Sequence, residues 1–450
     1  MLSLRPEHLK RYAEIGRLLS KYGRGDLVRE SGIEEILRDE TLPEEGGGDL
    51  LGEELASDLE RLGPTFVKMG QLLSTRADLL PTSYIDALSR LQDDVEPFAF
   101  EEVERCVTVE LGVRLSKGFE EFDSVPMAAA SLGQVHRARL RGGREVAVKV
   151  QRPGIRERIA EDLDALEELA EVIDRHTEMG RRFGAGRVLE EFRRTLLAEL
   201  DYRIEAANLL TLRENLQDFE RIVIPRPVDG YTTSRVLTMD YIAGRKVTEL
   251  TPLTRMELDG GALAEDLFRA YLKQILVDGF FHADPHPGNV LVTPDLRIGL
   301  IDVGMVGRVA PEMQERLLKL LLSVSEGRGE EVAEMALRIG ERRPGFNEAE
   351  YTREVSALVT RLQGATAREI QVGRIVMEIT RNAAENGMIL PAELSTLGKT
   401  LLSLDQVGRT LDEEFDPNAS IRRNSGDILQ QRMKKQLSPA QIFSSLLEAN

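Results

Sequence analysis

The sequence predicts an α+β fold in three parts: a helical N-terminal extension, a small unit built around a β-sheet, and a large helical unit. Three observations point to it. Short alternating or β-rich segments, "GFEEFDSV", "LGQVHRARL" and "REVAVKVQ", follow one another from about residue 117, joined by turn signals that include Gly142-Gly143. Stretches of strong helical periodicity with one densely charged face follow at 155–178 and 187–218. Beyond residue 243 the chain reads as helix almost to Asn450, interrupted by one apparent hairpin, "NVLVTPDLRIGLIDVG".

In chain order, residues 1–63 read as helical with a loop at "LPEEGGGD". The stretch "GPTFVKMGQLLSTRADLLPTSYIDALSRLQ" then gives two amphipathic helices divided by Pro81, with Pro64 where a first helical turn tolerates it. The consecutive strands after residue 117 are expected to pair antiparallel. "ERIVIPRPV" and "SRVLTMDYIAG" supply two further strands. The expected boundaries are 1–115 for the extension, 116–243 for the sheet unit with its inserted helices, and 244–450 for the helical unit. No internal repeat or low-complexity tract stands out.

Composition bounds the function. An apolar share of 42% and a charged share of 30% describe a globular chain. The net charge of −18, from 59 basic and 77 acidic residues, argues against a nucleic-acid binder but leaves room for an anionic ligand in one locally basic pocket. A single cysteine, Cys106, allows no disulfide framework and no cysteine-based zinc site, which fits a reducing cytoplasmic compartment. Neither a signal-peptide run nor a window of about 18 apolar residues is present. Only 11 of the 59 basic residues are lysine, so arginine is the default cation.

The block "FHADPHPGNV" at 281–290 concentrates titratable side chains and turn formers. His282 and His286 bracket Asp284; Asn289 stands five residues after Asp284, and Asp302 eighteen after it. Protein kinases space a catalytic carboxylate, an amide ligand for Mg²⁺ and a metal-binding carboxylate in this way. Phosphoryl transfer explains the spacing: one carboxylate faces the acceptor, and two oxygen ligands hold the metal on the phosphates. A structural turn and a His/Asp transition-metal site are the competing readings. The second lacks further ligands, because His8, His136 and His176 are scattered.

Upstream, Lys149 lies among valines in "REVAVKVQ", the pattern of the kinase lysine that holds the α- and β-phosphates. In an arginine-preferring chain, a lysine in an apolar strand suggests that a compact point charge is needed. Glu199, Asp201 and Glu205 in "RRTLLAELDYRIEAANL" offer the acid to align it; Glu199 and Glu205 do not share one helix face cleanly, so one of them is expected to meet Lys149. Where a glycine-rich phosphate loop belongs, the chain has Ala128, Ala129 and Ala130 followed by Ser131, which restricts the backbone. Lys68 and Gln71 are three apart and share a helix face.

"KMGQ", "AAAS", "VAVK", "ELDYRIEAANL", "HADPHPGN" and "DVG" occur in that order. On these motifs the chain closely resembles the UbiB/AarF family of atypical protein-kinase-like proteins, with motifs from about residue 55 to 310 and looser similarity beyond. The resemblance implies a bilobal kinase-like fold, with a small β-sheet lobe and a large helical lobe, that binds ATP and Mg²⁺. It implies that Lys149 contacts the phosphates and pairs with Glu199 of the E-x-D motif formed with Asp201. Asp284 would be the catalytic-loop carboxylate, and Asn289 and Asp302 the Mg²⁺ ligands. The alanine loop would cover the phosphates, Met239 would be the gatekeeper, and Asp240 to Ile242 the hinge facing adenine. Lys68 and Gln71 would lie on a helix that covers the active site, with Asp201 and Glu205 as further acids of that cover.

The family is associated with isoprenoid quinone biosynthesis, so the implied activity is an ATPase or a small-molecule or lipid kinase. The implied partners are a nucleotide, a lipid or quinone precursor, and quinone-biosynthesis proteins, with no nucleic acid. An aminoglycoside- or choline-kinase-like phosphotransferase and a non-catalytic nucleotide-binding scaffold are the alternatives. Many members end in hydrophobic membrane helices. The last segment here, from Gln431 to Leu447, is amphipathic at most, which leads to an expectation of peripheral association with the membrane.

Overall fold

The computed structural model describes residues 9–19, 21–22, 49–77, 79–80, 82–91, 95–176, 185–361 and 371–436. The glycine-rich loop at 42–48, Pro81, His8 and the end of the amphipathic C-terminal segment lie outside them. The chain forms two compact units: Met1–Thr75 with Leu80–Ile204 and Val228–Asp240, and Arg76–Leu79 with Glu205–Pro227 and Tyr241–Asn450.

The first unit opens with helices α1 (Leu9–Leu19), α2 (Asp49–Leu62), α3 (Pro64–Leu73), α4 (Thr82–Leu88) and α5 (Phe100–Leu111). Strands β1 (Phe119–Phe122), β2 (Ala128–Ala129), β3 (Gly133–Leu140) and β4 (Glu145–Gln151) follow, then helices α6 (Ile155–His176) and α7 (Ala185–Glu199), and finally β5 (Val236–Asp240). The sheet runs β1-β3-β4-β5, with β2 also on β3, and every pair is antiparallel. The Gly142-Gly143 signal is a real turn: both residues take positive φ, 106° and 87°, and the Leu140 amide closes on the Arg144 carbonyl at 2.9 Å.

Period-2 alternation gives the sheet two different faces. Val146, Val148, Val150 and Val236 are fully buried in a core shared with Val103 and Val107 of α5. Register places Ala128, Val135, Lys149 and Leu237 in one row across the strands, so their side chains stand on the other face. Met239, paired with Ala147, stands on that face too.

The helices of this unit have their own core. Ile155, Ile159, Leu163, Leu166 and Leu169 form an apolar stripe on α6 that packs with Tyr12, Leu59, Phe66 and Leu196. A buried polar link crosses it: Thr65 Oγ1 donates to Asp162 at 2.5 Å, and Arg11 pairs with the same carboxylate at 2.6 Å. Pro64 at the first helical position starts α3, and Ser74 Oγ closes its end by donating to the Gln71 carbonyl at 2.6 Å.

The second unit begins within α8 (Tyr202–Asn215) and contains β6 (Arg245–Lys246), α9 (Gly260–Lys273), β7 (Phe280–His282), β8 (Val290–Val292), β9 (Ile298–Leu300) and β10 (Val306–Arg308). Its remaining helices are α10 (Pro311–Ser325), α11 (Gly329–Ile339), α12 (Glu348–Arg361), α13 (Val372–Glu385), α14 (Ala392–Leu411) and α15 (Pro417–Gln436). The expected hairpin forms from β8 and β9; strand Ile222–Val223 flanks β9 in parallel, and β6 flanks β8. β7 pairs antiparallel with β10, setting His282 opposite Val306. Among the described residues no helix is long and apolar enough to cross a membrane.

Gly70, inside the "KMGQ" stretch, is a close-packing position. A Cβ there would stand 2.4 Å from Leu91 Cδ1 and 2.9 Å from Leu59 Cδ1. Helix propensity would reward Gly70→Ala by about 1 kcal/mol, whereas overpacking a filled core costs about 1–3 kcal/mol. We expect a net loss of stability in urea unfolding; a gain would mean that α3 is not seated as described.

Candidate active site

In the first unit, the alanine segment is the short strand β2, whose Ala128 and Ala129 pair with Val135 and Gln134. The Ala130 amide donates to the Gly133 carbonyl at 2.7 Å and closes the loop. None of the three alanines has a positive φ, so this loop makes no use of the left-handed backbone that glycine would allow. Ser131 at its inner end is 1% exposed, and its hydroxyl has no hydrogen-bond partner. That is an uncompensated buried group which a ligand atom would satisfy.

Lys149 rises from β4 between the fully buried Val148 and Val150. Its ammonium lies 5.3 Å from the centroid of the Tyr202 ring, within cation–π range. Glu199 ends α7 and forms an ion pair with Lys68 at 3.0 Å; both side chains are largely buried, 12% and 15% exposed. The carboxylate expected to align Lys149 ties the "KMGQ" helix to the E-x-D motif. Gln71, on the same helix, instead donates to the Leu91 carbonyl at 3.4 Å.

Asp201 has a local task. It accepts from the Arg203 amide at 3.1 Å and from Arg203 Nε at 2.9 Å, capping α8, and those hydrogen bonds pull its carboxyl below the usual range. Met239 is buried on the Lys149 face of the sheet, and the Asp240 carboxylate accepts two bonds from Arg144, at 2.8 and 2.6 Å.

In the second unit, Ile242 packs against β9, where a Cβ on Gly299 would meet its Cγ2 at 2.9 Å. Glu205 is 5% exposed in the first turn of α8. Asp284 and Asn289 are half-buried on the turn after β7, and the Asn289 amide nitrogen reaches the Asp284 carbonyl at 3.5 Å. Asp302 is exposed and holds φ at 58°, one of two non-glycine residues with positive φ among the described residues. Such a conformation persists when neighbours enforce it.

The neighbours are identifiable. His282 is fully buried. Its Nδ1 accepts from Tyr271 Oη at 2.8 Å, its Nε2 donates to the Asp302 carbonyl at 3.1 Å, and its amide donates to Gln274 Oε1 at 3.0 Å. Burial pushes the imidazole below its ordinary pKa, with the nearby Asp284 and Asp302 opposing the shift. Asn208 Nδ2 donates to the Val303 carbonyl at 3.1 Å, and Thr400 Oγ1 to the Ala283 carbonyl at 2.9 Å. None of Tyr271, Asn208 and Thr400 stands out in the sequence. Asn208 lies inside the quoted "ELDYRIEAANL" motif, but no local pattern assigns it a partner 95 residues away.

This geometry answers the competing readings of the histidine block. Both ring nitrogens of His282 are spent on hydrogen bonds, and His286 Nδ1 accepts from the Gly288 amide at 3.1 Å. Among the described residues no three His, Cys, Asp or Glu side chains stand close enough to hold a metal ion by themselves. Asp284, Asn289 and Asp302 carry hard oxygen donors, the type suited to Mg²⁺ shared with phosphate oxygens rather than to a protein-only cage.

Comparison with known proteins identifies the family. Residues 90–336 match the ABC1 atypical kinase-like domain and residues 355–416 the UbiB helical domain. The chain belongs to the UbiB family of ABC1 atypical kinase-like proteins. It is 32% identical to a probable protein kinase UbiB of Aliivibrio fischeri over 98% of this chain and 82% of that one. An uncharacterized Synechocystis protein, sll1770, is 35% identical over 80% of this chain, which spans 62% of that protein's length. A solved complex of Rv3197 and erythromycin from Mycobacterium tuberculosis is similar at a TM-score of 0.53 and 26% identity, covering 82% of this chain and 97% of that one. The fold is thus kinase-like α+β, and the ABC1 match spans the alanine loop, Lys149, Asp284 and Asp302.

The left-handed Asp302 separates backbone from side chain. Asp302→Asn keeps a residue type that tolerates this conformation, so its urea unfolding should match the parent, whereas Asp302→Ala should cost about 1 kcal/mol. Both should weaken MgATP binding in a thermal-shift titration, as should Lys149→Ala; stabilisation of all three variants as large as the parent's would refute the assignment.

Proposed function

We propose that this chain binds ATP with Mg²⁺ and turns it over, as an ATPase or as a kinase acting on a small molecule or lipid, in support of isoprenoid quinone biosynthesis. Family membership supports the kinase-like chemistry. The finer reading rests chiefly on Asp302, an exposed carboxylate on a strained backbone that His282 and Asn208 hold from behind. A fold accepts strain of this kind where a side chain must be aimed before its ligand arrives.

On this reading the magnesium nucleotide supplies the transferable phosphoryl group. Asn289 and Asp302 would hold the metal, and Lys149 would place one compact positive charge on the phosphates. Asp284 receives the proton of the attacking hydroxyl or water. The alanine strand β2 and the Ser131 hydroxyl would cover the phosphates, with less backbone freedom than a glycine loop. Met239 and the segment from Asp240 to Ile242 bound the base. Glu199, Asp201, Glu205, Lys68 and Gln71 order these groups. The quinone precursor, the lipid surface at the cell membrane and quinone-biosynthesis proteins are the partners this reading brings with it.

The test is ATP hydrolysis by the purified chain, with and without anionic lipid vesicles and with simple phenols as acceptor mimics. We expect Mg²⁺-dependent turnover that rises with lipid or phenol and falls at least about a hundredfold in Asp302→Asn, the scale on which loss of a charge-stabilising group acts. Tight MgATP binding without turnover in any condition would make the chain a nucleotide-binding scaffold.

A further inference from the structure

On the far side of the first unit's sheet, α5, the end of β4 and the start of α6 enclose a pocket of about 200 Å³. Four arginines, Arg105, Arg152, Arg156 and Arg235, line it against three glutamates, Glu102, Glu110 and Glu157, which leaves one positive charge in excess in a chain of net charge −18. The arginines are not equivalent. Arg156 is committed to the fold: its guanidinium donates to Gln151 Oε1 at 2.7 Å, to the Ser234 carbonyl at 3.0 Å and to the Leu200 carbonyl. Arg235 meets Glu110 at 4.0 Å, a loose pair.

Arg152 and Arg105 are less committed. Arg152 stacks on Phe98 at 5.3 Å and donates one Nη2 to the Glu96 carbonyl at 2.9 Å, but its Nε is buried without a hydrogen-bond partner. Burial lowers the Arg152 pKa, with Glu102 opposing, so the guanidinium is a charge short of solvation. Arg105 is exposed and has no ion pair among the described residues. The first turn of the 22-residue helix α6 forms the floor, and its leading amides add partial positive charge. Val109, Pro153 and Ile155 supply an apolar wall.

We propose that this pocket is a binding site for a small organic anion, a carboxylate or phosphate monoester with a short apolar body. A guanidinium with an unpartnered donor, a second, exposed guanidinium and the start of a helix in the lining suit a forked oxyanion. The apolar wall takes the body. The site is independent of the nucleotide reading, because none of its lining residues belongs to that assignment. It is nevertheless wired to the same sheet: Arg152 Nη2 also reaches the Ala130 carbonyl at 3.5 Å, and Gln151, two residues beyond Lys149, donates to the Leu200 carbonyl at 2.9 Å.

Calorimetric titration of the full chain with phenyl phosphate, benzoate and inorganic phosphate tests the proposal. One equivalent of phenyl phosphate or benzoate should bind, more tightly than inorganic phosphate. Affinity should drop about tenfold or more in Arg105→Ala and Arg152→Gln, as expected when a charge-assisted pair is lost. Val109→Glu, at a position 72% exposed and so safe for folding, should abolish binding by placing a negative charge at the mouth. Absence of binding at millimolar ligand, or binding that survives both Arg105→Ala and Val109→Glu, would overturn the site. Those two exposed variants decide the matter even if Arg152→Gln fails to fold.

Discussion

His282 accepts from Tyr271 at one ring nitrogen and donates to the Asp302 carbonyl from the other, and it does so fully buried. Much of the second unit's site geometry follows from those two bonds. The backbone at Asp302 sits at φ 58°, where a residue with a Cβ resists staying unless held. The imidazole holds its carbonyl, and Asn208 holds the next one. With Nε2 donating to a carbonyl, a neutral ring accepts from Tyr271 at Nδ1, and burial favours that neutral ring. What reads in the sequence as a residue ready for catalysis or a metal is a strut, and the residue it supports carries the exposed carboxylate.

In the first unit the constraint is different. The sheet presents Ala128, Lys149 and Met239 on one face because strand alternation and antiparallel register leave no other choice once four valines are buried on the opposite side. A one-residue slip of β4 would bury Lys149 among valines at several kcal/mol. The Lys68–Glu199 pair then fastens the N-terminal helices to that sheet unit. With both groups largely buried, removing one partner would leave an uncompensated charge, so the two positions depend on each other more than a surface pair would.

Legibility in the sequence follows the range of the interaction. The strands, the Gly142-Gly143 turn, the helix start at Pro64 and the hairpin behind the histidine block are local patterns, and each is where the residues say it is. The spacing of Asp284, Asn289 and Asp302 is local too. Partners fixed by packing are a different matter. Glu199 meeting Lys68, Thr400 reaching Ala283 across 117 positions, and Asn208 reaching Val303 depend on which helix lands where. The arginine pocket is the same case: Arg105, Arg152 and Arg235 are unremarkable in a chain that favours arginine, until α5 and β4 bring them together. Asp201, which the E-x-D motif singles out, also caps α8 through its contact with the Arg203 amide.

The tautomer and charge of His282 are the most direct test of this view. With five histidines in the chain, selective ¹⁵N labelling and long-range ¹H–¹⁵N correlation spectra resolve each ring, and a His282→Gln spectrum assigns the one in question. From about pH 8 to about pH 5, the window in which an ordinary histidine titrates, His282 should remain neutral with its proton on Nε2. A ring that becomes an imidazolium in that window, or that carries its proton on Nδ1, would contradict the strut and with it the explanation of the backbone at Asp302.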